Sequence, residues 1–201
     1  MNGELALIAA AYLVGALPVA VAIGRLKGID IRAVGSGNTG TTNVWRTLGP
    51  RYGSAILAFD VLKGFVPTLV GVTVFDVRTA ILAGAAAALG HTFPVFTRFR
   101  GGKGVATSAG VALAVTPLVF IGLLLFFIAV IYLTRYVSLA SISLAILYAP
   151  LVYLTDGRAA VVVFAVVAGA GVLIKHRGNV RRLLAGTERR TQSFGRGATN
   201  A

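Results

Sequence analysis

Long apolar runs, broken by short polar loops, dominate the chain. Residues 5–24, 79–97, 104–134, 136–155 and 159–174 carry no charged side chain. About 20 apolar residues cross a bilayer core as a helix, and a helix satisfies its own backbone groups in lipid. The pattern predicts helical segments at roughly 4–24, 52–74, 78–97, 104–116, 118–134, 137–154 and 158–174. Segment 52–74 is less pure. It carries Asp60 and Lys63, three positions apart, which puts them near one helix face. Ionisable residues inside a span face the bundle interior and pair, so both are read as structural.

The stretch 104–134 admits two arrangements. As one helix it would run about 46 Å, too long for a single untilted crossing of a core about 30 Å thick. Pro117 marks a place for a break or kink. One crossing gives six spans and two give seven.

Charge favours seven. The loop 25–51, the loop 98–103, Arg135 and the tail from Lys175 then share one side and hold 16 of the 19 basic residues. The positive-inside rule places that side in the cytoplasm and the N-terminus outside. The fold class is therefore all-α: a polytopic membrane protein, one domain over 1–201, with a loose tail from about 191 to 201. A signal peptide would need a positive n-region, and residues 2–4 contain no Lys or Arg, so the first run is read as a retained helix.

Composition agrees. The chain has 201 residues, 57% apolar and 12% charged, with mean hydropathy +0.86. Soluble domains carry about 25% charge. The formal net charge is +13. On a soluble protein that would suggest nucleic acid; here it reports topology and an anionic lipid face, and no nucleic-acid partner is expected. With no cysteine and two histidines, neither a metal site nor a cofactor is expected.

Three loops carry more chemistry than a connection needs. Residues 34–46 read VGSGNTGTTNVWR. Gly35 and Gly37 permit close backbone approach. Ser36, Asn38, Thr41, Thr42 and Asn43 offer hydroxyls and amides, and Arg46 can hold phosphate by two bonds. A flexible linker would explain the Gly, Ser and Thr, but not the Asn, Trp and Arg beside them. The second loop runs from GHTFPVF at 90–96 to FRGGKGVAT at 99–107. Gly101, Gly102, Lys103 and Gly104 enter a helix that includes Thr107, and amides plus an ammonium at a helix N-terminus suit phosphate. P-loop spacing is absent. An interfacial turn with a snorkelling lysine is the plainer alternative. The third, KHRGNVRRLLAGTE at 175–188, offers His176 to accept a proton or bind phosphate and Asn179 to orient a ligand. Glu188, its one acid, is read as neutralising a loop arginine. A polybasic lipid anchor accounts for Arg181 and Arg182, less well for His176 and Asn179. His91 is read as structural, near a span end.

Together these loops fit a small phosphorylated metabolite beside a phosphorylated partner entering from lipid. With GSGNTGTTNVWRTLG at 35–49, DVLKGFVP at 60–67, GHTFPVF, RGGKGVAT and KHRGNVRRLLAGTE in this order, the chain resembles the bacterial membrane glycerol-3-phosphate acyltransferase family that uses acyl phosphate as donor. The resemblance implies transfer of an acyl group to the 1-hydroxyl of sn-glycerol 3-phosphate, giving 1-acylglycerol 3-phosphate (lysophosphatidic acid) and phosphate. It implies seven spans and a cytoplasmic active face in the bacterial inner membrane. Carried over, the family's important serine and arginine fall on Ser36 and Arg46, its glycine-rich loop for glycerol 3-phosphate on 101–104, its histidine and asparagine on His176 and Asn179, and its glutamate on Glu188, in a structural role. The family's Gly-Ala-Thr-Asn reads Gly40-Thr41-Thr42-Asn43 here, an added methyl and hydroxyl beside the donor phosphate.

An acyl phosphate is already activated, so direct attack by the hydroxyl is expected, without an acyl-enzyme. Arg46 and Lys103 would offset phosphate charge, Ser36 and Asn43 orient the substrates, and His176 or a substrate phosphate take the proton. No Ser–His–Asp order is evident for Ser36 as nucleophile. The H-x-x-x-x-D pattern of thioester-using acyltransferases is also missing, since the fifth residue after His91 is Phe96 and after His176 is Arg181. A transporter of phosphorylated solutes is the alternative class. It would show internal repeats and charge on both sides; no repeat is evident. No feature points to a protein partner, and a monomer is expected.

Overall fold

A computed structural model describes residues 2–191, and every regular element in that range is helical. In chain order the helices are α1 (Asn2–Ala16), α2 (Val19–Leu26), α3 (Thr41–Leu48), α4 (Pro50–Val74), α5 (Val77–Thr92), α6 (Val105–Val115), α7 (Pro117–Thr134), α8 (Val137–Thr155), α9 (Ala159–Lys175) and α10 (Arg177–Leu184), with a 3₁₀ turn at Val95–Thr97. The tail expected to be loose lies, from 192 on, outside the described residues. Asn2–Leu26, Pro50–Val74, Val77–Thr97, Pro117–Thr134 and Val137–Thr155 are long and apolar enough to cross a membrane. The pair α9 and α10, bent by 57°, makes a sixth if taken as one span, and α6 is a shorter apolar helix. The chain is a multi-pass helical membrane protein.

The first run departs from the expected continuous helix. It breaks between Ala16 and Val19. Pro18 has no N–H to give Val14, and its ring crowds that carbonyl. Leu17 N–H takes the Val14 carbonyl instead, at 3.2 Å, and Val19 N–H turns back to Leu17 at 3.0 Å. The stretch 104–134 is settled as two helices. Thr116 leaves helical geometry at φ −138°, ψ 59°, and Pro117 opens α7, where a missing N–H costs nothing.

Small residues bring the helices together, as expected where lipid gives no hydrophobic drive for association. α1 packs on α5, α4 on α5 and α6, and α8 on α7 and α9. A methyl at Gly15 would land on the Ala87 carbonyl, at Gly90 on that of Tyr12, at Gly64 on that of Thr107, and at Gly110 on that of Val61. The larger core residues, Ile81, Val111, Leu123, Tyr148, Val152 and Phe164, gather where α5 through α9 meet. Ala20, Ile31, Val44 and Ile56 form a separate core under the 27–40 loop and fix its base. At one end of the bundle Asp76 caps α5 through Thr79 N–H at 2.7 Å, and Arg158, held by Asp156, caps the α6 carbonyl of Val115 at 2.9 Å. The three chemistry-bearing loops meet at the other end.

Candidate active site

Asn43 builds the first loop. It lies in the first turn of α3 and is 3% exposed. Its Oδ1 accepts Ser36 N–H at 3.0 Å, while Nδ2 donates to the carbonyls of Ile31 at 3.0 Å and Val34 at 3.1 Å. The amide is thereby committed to the chain itself. Asn43, expected to orient substrate, here holds the turn that presents Ser36. Gly35 (φ 65°) and Gly37 (φ 69°) sit in the left-handed region, where other residues are strained, and a side chain on Gly35 would strike Asn43 Oδ1. Asn38 Oδ1 accepts Gly40 N–H at 2.8 Å, a second local brace. Thr41 and Thr42 follow in the first turn of α3.

The second loop lies directly opposite. Ser36, Gly37, Asn38 and Thr39 share an open recess of about 930 Å³, solvent space included, with Arg100 and Gly101. Arg32 on the rim is occupied by Asp30, at 2.9 Å. Hydrogen bonds from Arg32 hold the Asp30 carboxyl down at about 2. Gly104, at φ 80°, is the N-cap of α6. The first amides of α6 have no acceptor within the helix, so they add positive potential beside Lys103. Thr107 does not join them through its side chain. It is fully buried, with its Cγ2 and carbonyl against Gly64 of α4. Expected among the substrate contacts, this side chain is turned by the helix into the α4–α6 interface.

The third loop joins the second through one network. Lys103 Nζ donates to Asn179 Oδ1 at 2.5 Å, and Asn179 Nδ2 donates to Glu188 Oε1 at 2.6 Å. Glu188 also accepts Ser138 Oγ–H at 2.8 Å and Arg182 Nε–H at 2.7 Å. Arg46 reaches across from α3 to the Arg189 carbonyl at 3.0 Å. Glu188, expected to be structural, pairs with Arg182. Burial alone would raise its carboxyl, but hydrogen bonds from Asn179, Ser138 and Arg182 hold it below the usual range.

The same surroundings retune the bases. Burial brings the Lys103 ammonium down to about 8, against the attraction of Glu188 and with the repulsion of Arg182 and Arg46. His176, just past α9 and 3% exposed, is brought down to about 4 by burial and then by Lys103. It is neutral at pH 7. Its Nδ1 lies 2.8 Å from the Val172 carbonyl, which fixes Nδ1 as the donor and leaves Nε2 with its lone pair. Burial also lowers Arg46, which stays charged. The end of the bundle therefore offers cations, free amides and one neutral imidazole, a set suited to binding phosphate and stabilising oxygen charge.

Asp60, Lys63 and His91, expected to be structural, form a buried cluster beneath the glycine loop. Sequence reasoning missed Ser138, which anchors Glu188, and the Leu17 carbonyl, which accepts Lys63 Nζ at 2.9 Å. Neither carries a motif; the proline at 18 was the one available signal for the second.

The family model described as glycerol-3-phosphate acyltransferase matches residues 5–186. A glycerol-3-phosphate acyltransferase of Geobacter sulfurreducens is 47% identical over 94% of this chain and 98% of its own. One from Aquifex aeolicus is 44% identical over 92% and 97%. The crystal structure of PlsY (YgiH), an integral membrane glycerol 3-phosphate acyltransferase, in its glycerol 3-phosphate form superposes with a TM-score of 0.91 at 43% identity, covering 94% of this chain and 96% of that one. Its lysophosphatidic acid form gives 0.88 at 42% identity, with the same coverage. With the match running through all three loops that build this end of the bundle, the chain belongs to the glycerol-3-phosphate acyltransferase family.

Proposed function

We propose that the chain transfers a fatty acyl group from acyl phosphate to the 1-hydroxyl of sn-glycerol 3-phosphate, releasing lysophosphatidic acid and inorganic phosphate. The observation that carries this reading is the convergence of Arg46, Lys103, Asn179 and neutral His176 from three loops, in a fold shared with a relative solved in glycerol 3-phosphate and lysophosphatidic acid forms. The hydroxyl oxygen attacks the acyl carbonyl carbon. The carbonyl–phosphate bond breaks, phosphate leaves, and the hydroxyl proton passes to His176 Nε2 or to a phosphate oxygen. Lys103, Arg46 and the α6 amides offset charge on the phosphates. Ser36, Gly37 and Asn38, which line the recess, serve the second phosphate together with the backbone of the Thr41–Thr42 turn, whose Thr41 hydroxyl is buried without a partner. A covalent acyl-Ser36 lacks support, since among the described residues no histidine hydrogen bonds Ser36.

The chain acts as one membrane domain of seven spans, with α6 and α7 crossing separately, the N-terminus outside, and this site at the cytoplasmic face of the bacterial inner membrane. Clustering of basic residues at the site end supports that orientation. It works as a monomer. The test uses enzyme purified in detergent with palmitoyl phosphate and glycerol 3-phosphate. Equal amounts of phosphate and lysophosphatidic acid are expected, with no product from palmitoyl-CoA. Product from the thioester but not from the acyl phosphate would overturn the donor assignment.

A further inference from the structure

The glycine loop rests on a buried ionic cluster to which no part of the reaction has been assigned. Asp60, Lys63 and His91 are each less than a tenth exposed. Lys63 Nζ donates to Asp60 Oδ1 at 3.1 Å and to the Leu17 carbonyl, at the break between α1 and α2, at 2.9 Å. His91 Nδ1 faces the same Asp60 oxygen at 3.4 Å. The cavity beside them measures about 20 Å³, room for about one water and far too small for either substrate. These side chains do not touch the reacting atoms.

They do touch the loop. The His91 carbonyl accepts Gly102 N–H at 3.0 Å. A methyl on Gly102 would land on His91 Nε2, with Cε1 at 2.8 Å and Cδ2 at 3.0 Å, and a methyl on Gly101 would land on the His91 carbonyl. Gly102 is not among the positive-φ glycines. Its backbone would accept alanine, and what forbids a side chain is the imidazole beneath it. Lys103 is the next residue.

We propose that Asp60, Lys63 and His91 are positioning residues. Lys63 neutralises and holds Asp60, Asp60 orients the imidazole, and the imidazole sets the height of Gly101–Gly102 so that Lys103 meets the phosphate of glycerol 3-phosphate. Misplacing a binding group by about 1 Å is enough to cost two orders of magnitude in rate. The proposal rests on the reading that Lys103 binds that phosphate.

The experiment measures kcat, KM for glycerol 3-phosphate, KM for palmitoyl phosphate and thermal unfolding for the full-length enzyme in detergent. The variants are G102A, H91A, H91A/G102A, D60N and K103A. G102A is expected to raise KM for glycerol 3-phosphate at least tenfold, and H91A/G102A to recover at least threefold of that loss, because removing the ring makes room for the methyl. D60N is expected to raise the same KM several-fold while KM for palmitoyl phosphate stays within twofold. A double variant no better than G102A overturns the proposal, as does a D60N enzyme that melts lower yet keeps both wild-type KM values. K103A separates the two layers: an unchanged KM for glycerol 3-phosphate removes the phosphate reading itself, whereas a raised KM in K103A beside wild-type behaviour in the cluster variants removes only the positioning role.

Discussion

Lys103 Nζ and Asn179 Oδ1 lie 2.5 Å apart although 76 positions separate them in the chain. One bond thus ties the glycine loop to the helix that leaves the last apolar segment. Asn179 spends its other side on Glu188, so the lysine faces a neutral acceptor and the carboxylate sits one residue behind it. Attraction from Glu188 reaches Lys103 without a direct ion pair that would compete for phosphate. Asn179→Ala removes both bonds. A hydrogen bond to a charged group is worth about 1.5–3 kcal/mol, so kcat/KM for glycerol 3-phosphate is expected to fall roughly ten- to hundredfold. Asn179→Asp should do worse, because it pairs Lys103 directly and repels Glu188. Steady-state kinetics with acyl phosphate saturating checks both.

The phosphate role proposed for Lys103 predicts an alkaline limit. Its ammonium loses its proton near 8 in the folded enzyme because burial opposes the charge. Only the charged form holds phosphate, so kcat/KM is expected to fall as pH rises through about 8, the free-enzyme value that this parameter reports. Phosphate binding restores the proton, so kcat should hold to higher pH. Lys103→Arg stays charged throughout, and its residual activity should lose this limb. A wild-type profile flat from pH 7 to 10 would contradict the assignment.

His176 imposes the opposite sign on stability. Its folded value, about 4, lies below the ordinary value near 6.5. The unfolded chain therefore binds a proton between those limits that the folded chain refuses. Stability is complete above about 6.5 and falls as pH drops towards 4. Thermal unfolding across that window should show the slope, and His176→Gln should flatten it. Observed by NMR, the imidazole should stay neutral at pH 6; protonation near 6.5 would show that burial and Lys103 do not dominate it.

Glu188 should behave as a structural residue with a catalytic shadow. It accepts from Ser138, Asn179 and Arg182. Glu188→Gln keeps the shape but turns part of the carboxylate from acceptor to donor. Leaving buried partners unpaired costs about 1–3 kcal/mol, so the melting temperature should fall by several degrees. The loss should also lower the Lys103 value further, moving the alkaline limb to lower pH. Ser138→Ala should lose less of both.

Hydropathy found the long apolar segments, because lipid demands long apolar helices and glycine and proline mark where they end; it read the short polar helices α3 and α10 as loop. It placed the 104–134 break at Pro117 but left the number of crossings open, and it ran 4–24 through Pro18. There the chain stays apolar across the break, so hydropathy has nothing to register. The site's cations were legible because Arg and Lys beside glycine are uncommon company in a membrane protein. What each amide does was not legible. Asn43 and Asn179 look alike in sequence, yet one is spent on its own loop and the other bridges two loops. That difference depends on which backbone carbonyls happen to lie within 3 Å, and tertiary packing decides it.

Thr107 tests the same distinction directly. Its place in the α6 entrance, four residues after Lys103, suggests a hydroxyl on phosphate. In the fold that hydroxyl is fully buried with no hydrogen-bond partner, on the helix face turned to Gly64. Valine has nearly the same shape and removes an unpaired polar atom, whose burial costs about 1–3 kcal/mol. Thr107→Val should therefore raise the melting temperature or leave it unchanged. It should also keep wild-type KM for both substrates, because the amide N–H in the first turn of α6 survives the substitution. Thr107→Ala would keep that amide too but lose the methyl packed against α4, and it should melt lower. A valine enzyme with a raised KM for either substrate would place the hydroxyl at the phosphate after all, and would require α6 to rotate away from α4 when substrate binds.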